Sequence, residues 1–188
     1  MAQTTDLTTL AALKAWLGSS ATADEAVLSS LISGASADFL SRCDRPTLLS
    51  QTYAERYDGQ GNGELALLNF PVTAVASVTV GTFLVPPSPD YVVAGWVFDR
   101  FSIKLVGGAY EFCRGYQNVL VAYTAGYAAI PLDVGQAVCA MCSAWFKRRG
   151  WTDQASKNLA GELVTFRRED VPPEVQRTIE RYRRRIAA

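Results

Sequence analysis

Cys139 and Cys142 stand two residues apart, and that spacing can serve metal binding or thiol–disulfide exchange. A zinc site needs about four ligands. No second cysteine pair accompanies this one, and the chain has no histidine. A redox pair usually opens a helix, where the dipole lowers the thiol pKa, whereas this pair falls in the middle of an apolar periodic segment. Core packing is the simplest reading, with redox and metal roles as its alternatives. The carboxylates Asp58, Asp90, Asp99 and Glu111 are the second possible chemistry, but no spacing brings two of them together as an acid and a base. Ser and Cys nucleophiles lack a histidine base, and no Ser-x-x-Lys motif replaces it. Gly59, Gly61 and Gly63 alternate without the Lys or Ser/Thr of a phosphate loop, which makes them turn residues. The sequence therefore points away from an enzyme and calls for no cofactor or metal.

The arginines are the remaining chemical group. Residues 1–146 hold 7 Lys/Arg against 12 Asp/Glu, net −5, and residues 147–188 hold 11 against 6, net +5. An acidic body and a basic tail suit stacked identical copies, or a tail that faces another acidic partner. The basic end, Arg177 and Arg181 to Arg185, admits three readings. It is a solvated helix face, a protein contact made by arginines with Tyr182, or a salt-dependent, sequence-independent phosphate contact. Trp145 falls in phase with a helical core. Trp151, just outside that pattern, is an interface candidate.

The elements that carry these residues follow from periodicity. Leu10, Leu13 and Leu17 share one face of a helix over 8–17, with Gly18 as its stop. Thr22 and Glu25 have capping-box spacing for a helix over 22–42, striped by Leu28, Leu31, Ile32, Ala35 and Phe39. Gly34 inside it suggests close packing. Short strands with glycine-rich turns occupy 51–125, around "TYAERYD", "ELALL", "VASVTVG", "YVVAGWVFDRFSIKLVGG" (turning near Gly95) and "NVLVAY". Gly126 and Pro131 end the last of these and set up a helix over 132–149, with Val134, Val138, Met141, Cys142 and Trp145 on one face. A final helix follows Pro172–Pro173, with Val175, Ile179, Tyr182 and Ile186 in phase and Glu180 placed to pair with Arg184. The expected fold is α+β: mainly an α-helical bundle with a small antiparallel β-sheet inserted between N-terminal and C-terminal helices. The expected division is a body over 1–149 and, over 150–188, an extended arm with the basic C-terminal helix. The opening "MAQTTDLTTL" has no charged and apolar leader pattern, and no apolar run approaches a membrane span. A cytosolic setting with reduced thiols is the expectation.

The order of motifs resembles a known family over almost the whole chain. "LTTLAALKAWLG" precedes a second helix ending in "FLSRCDRPTLL", where Cys43–Asp44–Arg45–Pro46 fills the place of a Gly-Arg-Pro-like corner. Tyr53, Tyr57, Asp58 and Gly59 precede Leu65, Leu67, Phe70, Pro71, Val72, Val75, Ser77, Val78 and Val80. "VAYTAGYAAIPLDVGQAVCAMCSAWFKRRG" and "VPPEVQRTIERYRR" close the pattern. In these the chain is similar to the head–tail connector, or adaptor, proteins of long-tailed double-stranded DNA phages. The resemblance implies a structural virion protein at the head–tail junction, assembled in the host cytoplasm. It implies a homo-oligomeric ring, commonly of twelve copies, bound beneath the portal protein. Such a ring extends the channel through which DNA passes and receives a stopper or tail-completion protein, with no membrane partner. The family's closing helix places Arg177, Arg181, Arg184 and Arg185 toward the portal. Together with Tyr182, Trp151 and the arm residues Phe166, Arg167 and Arg168, these are the candidate portal or subunit contacts. Deleting 172–188 is expected to leave a foldable body that docks poorly. The alternative is a basic-tailed nucleic-acid-binding protein.

Overall fold

The computed structural model describes residues 6–18, 22–149 and 171–184, and the backbone of 156–159 and 162–165. Two compact units share the chain. Residues 1–46 and 130–183 form a helical unit, and 47–129 with 184–188 form a sheet unit.

The helical unit contains α1 (Leu10–Leu17), α2 (Glu25–Arg42), α3 (Leu132–Arg148) and α4 (Pro173–Tyr182). It also holds a two-stranded antiparallel ladder, β8 (Ser156–Leu159) with β9 (Glu162–Thr165). Thr9 caps α1 by accepting from Ala12 N–H, and Gly18 ends it in the left-handed region at φ 64°. Four members of the apolar stripe of α2, Leu28, Ile32, Ala35 and Phe39, are buried as their spacing predicts, while Leu31 is half-buried. On α3 the buried set is Val134, Ala137, Val138, Cys139, Met141 and Cys142. Trp145 is half-buried, and its ring lies 3.7 Å from where a Cβ on Gly34 would be. That is an ordinary contact distance and Gly34 is exposed, so the close packing inferred from Gly34 is not found.

One local expectation fails for an electrostatic reason, and one corner forms without its customary glycine. The Thr22–Glu25 capping box does not form: Asp24 is the N-cap residue, and the Glu25 carboxylate pairs with Lys14 Nζ at 2.7 Å. The corner after α2 is built without glycine. Arg45 N–H donates to Leu40 C=O and Asp44 N–H to Ser41 C=O, the paired bonds of a Schellman turn. That turn needs a left-handed residue, and Asp44 supplies it at φ 53°. Asp tolerates this region better than most side chains.

The sheet unit corrects the expected architecture. β1 (Gln51–Gly59), β7 (Gly115–Ala125), β3 (Val72–Val80) and β4 (Phe83–Val85) form one antiparallel sheet in the order β1-β7-β3-β4. β2 (Glu64–Ala66), β6 (Ser102–Val106) and β5 (Gly95–Phe98) form a second, ordered β2-β6-β5. The chain is thus strand-rich, and the expectation of a mainly α-helical bundle with a small inserted sheet is overturned. Long alternation on β1 and β7 buries one face of each strand, and β3, bulged twice against β7, adds Val72 and Val78 to the same core. Tyr53, Val78, Trp96, Ile103, Phe112, Val119, Val121 and Tyr123 belong to that core. The turn expected near Gly95 lies instead at Asp99–Phe101. Asp99 Oδ1 accepts from Phe101 N–H and Ser102 N–H, both at 2.8 Å, and Gly95 opens β5. Asp side chains favour this short-range capping of the backbone.

The junction Gly126–Pro131 does what its residue types suggest. Gly126 N–H donates to Pro71 C=O, Tyr127 N–H donates to Leu48 C=O, and Tyr127 C=O accepts from Ser50 N–H, each at 2.9 Å. Pro131 then caps α3, with its carbonyl accepting from Val134 N–H and Gly135 N–H.

Candidate assembly interface

α4 is amphipathic, and its two faces set the roles of the basic residues. Val175, Ile179 and Tyr182 recur at helical spacing and are buried. Proline at the first helical turn starts the helix without losing an internal hydrogen bond. Ile179 C=O also accepts from the buried Cys43 thiol at 3.6 Å. Burial pushes the Cys43 thiol up to about 12, so that sulfur stays a protonated donor.

Arg177 and Arg181 lie four residues apart and are exposed. Arg181 Nη1 meets Asp133 Oδ2 at 3.0 Å, and Tyr182 Oη donates to Asp133 Oδ1 at 2.8 Å. Asp133 stands in the first turn of α3, where a carboxylate also opposes the positive end of the helix dipole. Tyr182 is therefore buried within the subunit, with its hydroxyl held by Asp133. Arg184 is not on the helix. α4 ends at Tyr182, and Arg183 is extended at φ −62° and ψ 137°. The expected Glu180–Arg184 pair along the helix does not form. Arg184 Nη2 lies instead 3.7 Å from Glu55 Oε1 on β1. Trp151, Phe166, Arg167, Arg168 and Arg185 lie outside the residues whose side chains are described. Asp133 and Glu55, the partners of the basic end, carried no signal in the sequence beyond their charge, because both are distant in the chain.

The remaining chemistry supports structure. Cys139 Sγ lies 3.3 Å from Thr8 Oγ1, and Cys142 is buried, its thiol raised to about 12 by desolvation first and by Cys139 second. A thiol so protonated is a poor nucleophile. Among the described residues no group of three His, Cys, Asp or Glu side chains could hold a metal, and no helix is long and apolar enough to cross a membrane. An open groove beside β1 is lined by charges of both signs, among them Arg56, Asp58 and Glu64, and by Tyr57 and Tyr116. The exposed guanidinium groups of α4 offer planar, fork-shaped donors suited to carboxylates.

Comparison with known proteins places the chain. Three solved structures share its fold. One is a chain from the neck of an empty GTA particle computed with C6 symmetry, at 22% identity and TM-score 0.54, covering 100% of this chain and 95% of that one. A second comes from the virion of a native gene transfer agent particle, at 22% identity and TM-score 0.57, with the same coverage. A third comes from the neck of a native GTA particle computed with C12 symmetry, at 20% identity and TM-score 0.53, covering 100% and 94%. No curated relative matches the sequence. The family model described as head completion protein matches residues 6–185. With that match spanning nearly its whole length, the chain belongs to the head completion protein family.

Proposed function

We propose that this protein is a structural, non-enzymatic subunit of a virion neck, one of a ring of copies that joins capsid to tail. The observation that carries the reading is the family match over residues 6–185. Full-length likeness to chains of particle necks, two of them computed with sixfold and twelvefold symmetry, supports it. In this reading the ring sits beneath a portal protein, extends its DNA channel and receives a stopper or tail-completion protein. DNA passes through without base-specific contacts. A closed ring needs a head-to-tail interface between unlike surfaces, and the opposite net charges of residues 1–146 and 147–188 suit one.

Arg177 and Arg181 are the proposed portal or subunit contacts on α4, with Trp151, Phe166, Arg167, Arg168 and Arg185 as further candidates. Arg184 and Tyr182, candidates as well, also make contacts inside the subunit. Two arginines of the basic end already face carboxylates. Arg177→Glu combined with Arg181→Glu is expected to weaken binding to the cognate portal at least about tenfold, since a reversed charge against a complementary surface changes sign. Its thermal unfolding should remain cooperative. Wild-type binding by a folded double variant would remove α4 from the docking surface.

A further inference from the structure

The sheet unit carries a polar cluster that neither the family match nor the neck reading uses. β1 alternates, so Glu55 shares the inward face with Tyr53 and Tyr57. Its carboxylate is surrounded by donors. Tyr57 Oη and Tyr123 Oη donate to Oε2 at 2.6 and 2.5 Å, and Asn69 Nδ2 donates to Oε1 at 3.0 Å. Both hydroxyls are oriented from behind, because Leu68 N–H donates to Tyr57 Oη at 3.2 Å and Asn69 N–H to Tyr123 Oη at 3.3 Å. Each phenol thus accepts from the backbone and donates forward to the carboxylate. Burial, and then the bond to Glu55, hold both phenols protonated, with Tyr123 pushed up to about 12. The cluster is an acceptor of fixed direction on a largely buried face, a setting that suits a cationic partner.

Arg184 supplies it. The side chains of Arg184 and Glu55 are only 23% and 22% exposed, the least exposed pair of any ion pair among the described residues. The seat is loosely filled, however. The contact is a single one of 3.7 Å where a guanidinium can make a two-pronged one, and Arg184 Nε is buried without a hydrogen-bond partner. Asn69 Oδ1, in the same cluster, is a buried acceptor that is likewise unmatched.

We propose that Glu55, Tyr57, Tyr123 and Asn69 form a guanidinium-binding cradle, occupied by the chain's own Arg184, that latches the chain to the sheet unit just after α4. The unmatched Nε makes the latch one that opens at small cost, freeing the C-terminal end. The inference stands on this geometry alone and not on the neck reading.

The test is hydrogen exchange of the C-terminal peptide in the isolated full chain, for wild type, Glu55→Gln, Arg184→Gln and the double variant. Each single variant should speed exchange about fivefold or more, and the double variant should add nothing to either, because both remove the same contact. Multiplying effects in the double variant, or unchanged exchange in Arg184→Gln, would overturn the latch. So would protection that depends on protein concentration, which would mean that the cradle takes an arginine from a second copy. Should Glu55→Gln fail to fold, Arg184→Gln against Arg184→Lys still decides: lysine retains the charge without the planar fork and should protect less than wild type, and wild-type protection in either variant would refute a guanidinium seat.

Discussion

Gly126→Ala is expected to destabilise the sheet unit by about 3 kcal/mol or more, a loss large enough to abolish folding in a marginally stable domain. Gly126 has φ 119°, a conformation that L side chains rarely adopt. A Cβ there would also lie 2.4 Å from Leu49 O, 2.6 Å from Leu49 C and 2.8 Å from Ser50 Cα. All three are backbone atoms, so no side chain can swing aside. The clash sits where the hydrogen bonds among Leu48, Ser50, Pro71, Gly126 and Tyr127 tie the end of β7 to the entry of β1. Gly18→Ala is the matched control. Gly18 also has positive φ, at 64°, but nothing lies within 4 Å of its Cβ position. It should therefore show only the conformational cost, about 1 kcal/mol. Chemical denaturation of the two variants separates the effects, and near-equal midpoints would contradict the close approach at Gly126.

Removal of residues 172–188 is expected to unfold the helical unit, contrary to the reading in which this segment is a dispensable tail. The deletion takes away three side chains buried against the rest of the unit, Val175, Ile179 and Tyr182. At about 1.5–3 kcal/mol for each, the loss is roughly 4.5–9 kcal/mol as an upper bound, comparable with the whole stability of a domain. It also strips Asp133 of both its partners and leaves the Cys43 thiol without its acceptor. Circular dichroism during urea titration should show the helical transition weakened or absent in the truncated chain. A truncated chain with wild-type helical content and midpoint would contradict the packing of α4. Loss of portal binding on truncation is therefore uninformative about docking, and point changes on the exposed arginines are the discriminating variants.

The helices were legible because their signals are local. Leu28, Ile32, Ala35 and Phe39 on α2, and Val134, Val138, Met141 and Cys142 on α3, are buried at the spacing that the sequence displays. The resemblance carried by the Gly-Tyr, Pro and long-helix segment likewise led to the family that the comparisons support. What was not legible depends on contacts between distant residues. Glu25 had the spacing of a capping partner, but Lys14 on another helix takes its carboxylate. Arg184 had the spacing to pair with Glu180, but the helix ends two residues earlier and Glu55 faces it. The sheet was underestimated for a similar reason. β5 and β6 lie in a stretch rich in Gly, Pro and Asp, and their pairing with each other and with β2 becomes visible only once the chain has folded back. Asp44 at φ 53° shows the opposite case, in which a left-handed corner persists although its customary glycine is replaced.

The native mass of the purified protein, alone and mixed with its cognate portal, tests the central claim most directly. The account predicts either a closed ring in isolation or a smaller species that adds to the portal in a number matching the portal's symmetry. A monomer or dimer that ignores the portal, and that binds duplex DNA at low salt with an affinity falling steeply as salt rises, would contradict it.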